Sequence, residues 1–207
     1  MNQPSLFSAE TLPPELADLG GLLAAHGQVT AASGGARLSI LLSQRWRATA
    51  LVDECVARGI AADAVDAAEV GAAADMYDGI LVDAATTLLR TERTEVLELL
   101  ATDWTRGAVK AVPEALLAGA GLLRLWLIAA GRQTPGGYVL GLDPHAPGTH
   151  QRLAAVCARA GLAGAIVGAA SDTPVIRLTG RRRLRRLLEL VGGPPRGAPG
   201  DAWPAQL

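Results

Sequence analysis

Apolar positions along the chain fall into short helical stretches that stop at glycine, alternating with segments whose apolar residues recur at every second position. Leu19 to Gly27 (LGGLLAAHG) is the first such stretch, a small-residue helix whose last turn closes on His26 and Gly27. Glycine there predicts a left-handed helix end. The alternation Leu38, Ile40, Leu42 against Arg37, Ser39, Leu41 predicts a strand with one buried face, entered from a Gly-Gly turn. A second helix stops at Gly59, a further strand pair is expected at 62–70 with 79–84, and a third helix at about 93–101.

The same order recurs downstream. Leu19 to Thr30 lies over Leu123 to Thr134 at an offset of 104, with Gly27 on Gly131. Further on, Leu51, Cys55 and Gly59 lie over Leu153, Cys157 and Gly161 at an offset of 102, and the shorter loop TPGGY in place of TAASGGA accounts for the change. Repeats at a fixed period are the signature of stacked or paired units. The expected fold class is therefore α+β, built from tandem duplicated helix-strand-strand-helix-strand-strand-helix units with pseudo-two-fold symmetry. The strands of the second unit are expected at 164–170 with 174–179, and its last helix at 180–191. The units are drawn at 15–102 and 115–191, joined by a connection at 103–114, with a flexible leader at 1–14 and a Gly/Pro-rich tail at 192–207.

Composition narrows the class. Half of the 207 residues are hydrophobic, mostly Ala, Leu and Val, enough for a well-buried core of closely approaching helices. No apolar run reaches membrane-spanning length, since ALLAGAGLLRLWLIAAG is split by Arg124, and no basic-then-apolar start marks a secretory signal, so a cytoplasmic protein is expected. Two cysteines make neither a disulfide framework nor a zinc site. Residues 1–103 hold 15 acidic and 6 basic side chains, whereas 104–207 hold 5 and 13. Opposite halves suit either an anionic partner for the second half or attraction between the halves, within one chain or between chains as a homo-oligomer.

A pair of units opened by helices of the form L-x-G-L-hydrophobic-x-x-x-G resembles the LAGLIDADG homing endonuclease fold, and most resembles its non-cleaving version at the front of the sporulation regulator WhiA. The resemblance implies that the two opening helices pack side by side through Gly20, Gly21, Ala24 and Gly27 against Leu127 and Gly131. It also implies that the position before each terminal glycine would carry a metal-binding acid. Here those positions are His26 and Ala130. Neither offers the hard oxygen that magnesium needs, so no metal, cofactor or catalytic residue is expected.

The remaining candidates each have two readings. His26 is either a relic of a site or a cation at a helix end. Cys55 and Cys157 are either reactive thiols or small buried hydrophobes. Asp63, Asp66, Glu69, Asp75, Asp78 and Asp83 form a solvated acidic hairpin or, alternatively, an unconventional metal site. Arg181, Arg182, Arg183, Arg185 and Arg186 surround an apolar stripe of Leu184, Leu187, Leu188 and Val191, and suit phosphates or the acidic half equally. With them, Arg37, Lys110, Arg132 and Arg177 complete the candidate DNA contacts. The outward strand positions are Arg37, Ser39, Leu41, Val139, Gly141, Arg177 and Thr179, with Gln28, Arg132 and Gln133 at the rim. They are sparse in base-reading side chains, which favours backbone contact over sequence readout.

Gln3, Ser5, Leu6 and Phe7 lie in QPSLF, which resembles the peptide by which bacterial replication and repair proteins dock on the sliding clamp. It also suits docking on its own domain. The expected function is a non-catalytic nucleic-acid-associated protein tethered to that clamp. The alternatives are a protein-interaction or oligomerisation module without DNA binding, and a metal-dependent nuclease using the acidic hairpin.

Overall fold

The computed structural model describes residues 6–66 and 86–204. A short 3-10 turn, Leu16–Leu19, leads into α1 (Gly20–Ala24), β1 (Gln28–Ala32), β2 (Gly35–Leu42), α2 (Arg45–Val56), β3 (Ala62–Asp66), β4 (Thr87–Thr91) and α3 (Glu98–Trp104). After a small hairpin of β5 (Thr105–Arg106) and β6 (Val109–Lys110) come α4 (Ala120–Ala130), β7 (Gly131–Thr134), β8 (Gly137–Gly141), α5 (His150–Arg159), β9 (Ala165–Val167), β10 (Val175–Thr179) and α6 (Arg181–Val191).

The strands form two antiparallel four-stranded sheets with the same order, β1-β2-β4-β3 and β7-β8-β10-β9. This equivalence establishes the duplicated α+β architecture. Cys55 on α2 and Cys157 on α5 are both fully buried, and the helices that carry them give way to Gly59 and Gly161, whose φ angles are +74° and +82°. Left-handed backbone explains glycine at those two positions.

Between the sheets, α1 packs against α4. A Cβ on Gly21 would collide with the Leu122 carbonyl oxygen and lie 2.8 Å from the Trp126 nitrogen, so only glycine lets the two backbones meet here. A Cβ on Gly121 would meet the Asp18 carboxylate of the turn before α1. Gly20 instead faces the Trp104 indole of α3. Gly27 and Gly131, expected in the helix contact and in left-handed conformation, do neither job. Their φ angles are not positive, and a Cβ would strike each residue's own helix, at the Leu22 oxygen (2.6 Å) and the Leu127 oxygen (2.6 Å). The chain turns so sharply from helix into strand that no side chain fits. Ala24 and Leu127 are fully buried in the common core.

Four other expectations change. The strand opposite β3 is Thr87–Thr91, with Leu89 as its core residue; the 79–84 stretch lies outside the described residues. On β2 the outward Ser39 and Leu41 are buried as well as Leu38, Ile40 and Leu42, so burial there is two-sided. The leader is anchored from Ser8 onward, for Ser8 is buried and the Ala9 N–H donates to the Leu190 carbonyl at 2.8 Å. The third helix runs to Trp104, past the division drawn at 102. At the other end, the Trp203 indole N–H donates to the Gly192 carbonyl, fixing the tail beside α6. No helix among the described residues is long and apolar enough to cross a membrane.

Candidate nucleic-acid interface

The carboxyl ends of α1 and α4 point unpaired carbonyls into the space between the sheets, a place that favours positive charge. Two side chains supply it. Arg47, from α2, donates to the Leu127, Ile128 and Gly131 carbonyls of α4's end at 3.2, 2.7 and 2.7 Å. Lys110, carried there by the β5-β6 hairpin, reaches the Ala25 carbonyl at 3.4 Å and the Asp143 carboxylate at 2.6 Å. Lys110 is the chain's single lysine among 19 basic residues. Asp143 is 1% exposed, and it also accepts from the Gln28 amide and from the His145 backbone N–H. Burial pulls the Lys110 ammonium below its ordinary 10.5 while Asp143 holds it up.

His26 lies beside this pair. Its Nε2 meets the Leu41 carbonyl at 2.6 Å, and because a carbonyl only accepts, Nε2 carries the proton. Burial, the dominant influence, lowers its pKa from 6.5; the Leu41 bond raises it, Lys110 lowers it, Asp143 raises it and Arg47 lowers it.

These residues do not fit the divalent cation that a homing endonuclease fold implies. His26 has its Nε2 committed to a carbonyl and offers no oxygen ligand, Ala130 has no side-chain donor, and both oxygens of Asp143 are engaged. Two protein cations already serve the helix ends. Among the described residues no group of three His, Cys, Asp or Glu side chains converges. Asp63 and Asp66 lie exposed on β3; Glu69, Asp75, Asp78 and Asp83 lie outside the described residues. Both cysteines are pushed up to about 12 by burial, which makes them packing residues.

The candidate basic residues divide by layer. Strand register places Gln28, Ser39, Arg90 and Asp63 in one row across the first sheet, on the face away from the helices. The matching row of the second sheet is Arg132, Val139, Arg177 and Ala165. Arg90 and Arg177 thus hold the same place in the two sheets, and Arg37 and Thr30 pair in the next row of the first. Among the described residues Arg37, Arg90, Arg132 and Arg177 form no ion pair, and Arg37 Nε has no hydrogen-bond partner. Lys110 belongs to the buried pair and is not available to a ligand. Arg181, Arg182, Arg183, Arg185 and Arg186 sit on α6, whose Leu187 and Val191 pack into the same core as Leu178, on the helix side of the sheet. They lie on the opposite side of the unit from Arg177.

Arg90 and the true place of Lys110 escape the sequence reading, as do Arg47 and Asp143, to which it gives no role. Arg90 is missed with its strand, although the threonines and paired leucines of TTLLRT suit one. Lys110 reads as a surface contact, although a lone lysine in an arginine-rich chain signals a position that guanidinium does not suit.

A cleft of about 550 Å³ opens where the two sheets meet the helix ends. Leu41, Val139 and Val175 line it as apolar walls, and His26, Arg47 and Arg132 supply polar groups.

No protein-family model and no curated protein sequence matches the chain. Solved structures do. The homing endonuclease I-WcaI bound to its DNA recognition sequence superposes with a TM-score of 0.56 at 12% identity, covering 84% of this chain and 79% of that one. The N-terminal LAGLIDADG domain of DUF199/WhiA superposes with a TM-score of 0.53 at 12% identity, covering 87% and 82%. The matched pair of sheets around two packed helices is therefore a LAGLIDADG-like fold.

Proposed function

We propose that this chain is a non-catalytic nucleic-acid-associated protein that uses its outward sheet faces to hold a duplex backbone. The observation that carries this reading is the equivalence of Arg90 and Arg177 in the two sheets, with Arg37 and Arg132 beside them, while the helix ends between those sheets are filled by Lys110 and Arg47. Guanidinium groups repeated on matched strands suit phosphates. Among the described residues no set of acids converges beside these cation-filled helix ends to activate water. The homing endonuclease I-WcaI, which shares the fold, was solved bound to its DNA recognition sequence, and this supports a duplex as the partner.

Fluorescence anisotropy of a labelled duplex at rising salt tests the reading. About four phosphate contacts give a log-log slope near about −3.6. Arg90→Ala with Arg177→Ala lowers the slope by about 2 units. Absence of binding at low salt removes the reading and leaves the protein-interaction module in its place.

The tether to a sliding clamp is part of the same proposal. Leu6 and Phe7 are 81% and 66% exposed just before the buried Ser8, while Gln3 and Ser5 lie outside the described residues. Capture of the chain by a bacterial sliding clamp, lost on Leu6→Ala with Phe7→Ala, supports it; equal capture of the variant refutes it.

A further inference from the structure

We infer that the second unit has two opposed nucleic-acid faces, so that one chain bridges two duplex segments. The inference rests on the proposed duplex binding and adds a second site to it. The first face is the outward row Arg132, Arg177. The second is the outer face of α6, which displays Arg181, Arg182 and Arg185, all exposed and without an ion pair among the described residues.

Alternation puts the two faces on opposite sides. Arg177 and Leu178 are neighbours on β10, so one projects outward and the other into the core. Leu178 shares that core with Leu187 and Val191 of α6. The buried stripe of α6 therefore faces the sheet, and its arginines face away from Arg177.

The composition of this face argues for phosphate rather than for an acidic part of the same chain. Five of the six residues 181–186 are arginine and none is lysine, giving a row of planar double donors. Arg181 and Arg185 stand one turn apart, about 6 Å along the helix, while each strand of a duplex presents a phosphate about every 3.4 Å of axis. Among the described residues no ion pair joins α6 to the acidic half: there Glu54 takes Arg124 and Arg58 at 2.7 Å each, and Asp18 takes Arg58 at 2.8 Å. On α6 itself the one carboxylate, Glu189, lies 3.8 Å from Arg186. Arg181, Arg182 and Arg183 also open the helix, where its dipole is positive and opposes them. A polyanion relieves that repulsion.

The test uses the full chain and two short duplexes, one biotinylated on beads and one fluorescent in solution, at a concentration where light scattering reports the mass. The expected result is retention of the fluorescent duplex by a chain of monomer mass. The variant Arg181→Gln, Arg182→Gln, Arg185→Gln should lose about tenfold of that retention, while its affinity for a single duplex changes by less than about threefold. Its thermal midpoint, unchanged or raised because the first turn sheds unfavourable charge, shows that the fold is intact. A chain that binds one duplex but retains none in solution overturns this inference and leaves the proposed function standing. Retention unchanged in the triple variant overturns it too, as does a wild-type dimer that the variant returns to monomer, since α6 then binds a second copy. A chain that binds no duplex at all overturns both readings.

Discussion

The Lys110 ammonium lies 2.6 Å from the Asp143 carboxylate in a place where both side chains are almost sealed from water, 7% and 1% exposed. The pair ties the β5-β6 hairpin to the loop that follows β8, and it does so beside the end of α1. A buried pair of this kind is costly to break because the surviving charge has no solvent. Lys110→Met should destabilise the chain by about 3–5 kcal/mol, read from urea unfolding at neutral pH. Combining it with Asp143→Leu should return part of the loss. A single variant within about 1 kcal/mol of wild type would mean that the pair is solvated in solution.

Arg47 serves the end of α4 through three carbonyls at once, sharing them between two nitrogens of its planar fork. A lysine there has one donor nitrogen in place of those two. Arg47→Lys should therefore cost about 2 kcal/mol despite conserving charge, and Arg47→Met more. Equal stability of the wild type and the Arg47→Lys variant would show that charge alone matters at this helix end.

Because protein cations fill the helix ends, magnesium has nothing to add there. The thermal midpoint should be the same in millimolar magnesium and in chelator, and supercoiled DNA should stay intact in both. Binding of an ion only to the folded form raises the midpoint by mass action. A rise with magnesium would place a cation site in the chain after all.

Much of the architecture can be read in advance because its signals are local. Gly59 and Gly161 stop equivalent helices, and the spacing of Cys55 and Cys157 repeats. Gly21 is legible as a helix-contact residue, and the structure sets it against α4. Gly27 and Gly131 align for a different reason from the one inferred, since close packing at a helix-to-strand turn and left-handed backbone both select glycine. The polar cluster is illegible because it assembles across long sequence separations. Asp143 lies 33 residues from Lys110 and 115 from Gln28, and the hairpin that delivers Lys110 reads as a mere connection. Arg90 and Arg177 become equivalent only when strand register is known.

His26 should give the fold an acid sensitivity. Above its ordinary pKa of 6.5 neither state holds the extra proton. As pH falls through 6.5 the unfolded chain takes one up, while the folded chain, with its lowered pKa, does not until more acid conditions. The unfolded state then binds more protons, so stability falls with pH across the window below 6.5. Urea midpoints of wild type and His26→Gln should converge from neutral pH toward about pH 5, the wild type losing more. Parallel curves would mean that the imidazole is open to water.

Gly21 provides the sharpest test of the paired helices. Its missing Cβ is the gap that admits the backbone of α4 at Leu122 and Trp126. Gly21→Ala should force α1 and α4 apart and destabilise by about 1–3 kcal/mol, even though alanine favours a helix over glycine by about 1 kcal/mol. Gly119, which precedes α4 and has no atom within 4 Å of an added Cβ, is the matched control. Gly119→Ala should stay within about 0.5 kcal/mol of wild type. Stabilisation by Gly21→Ala would show that intrinsic propensity outweighs contact there, and that the two units do not meet along these helices.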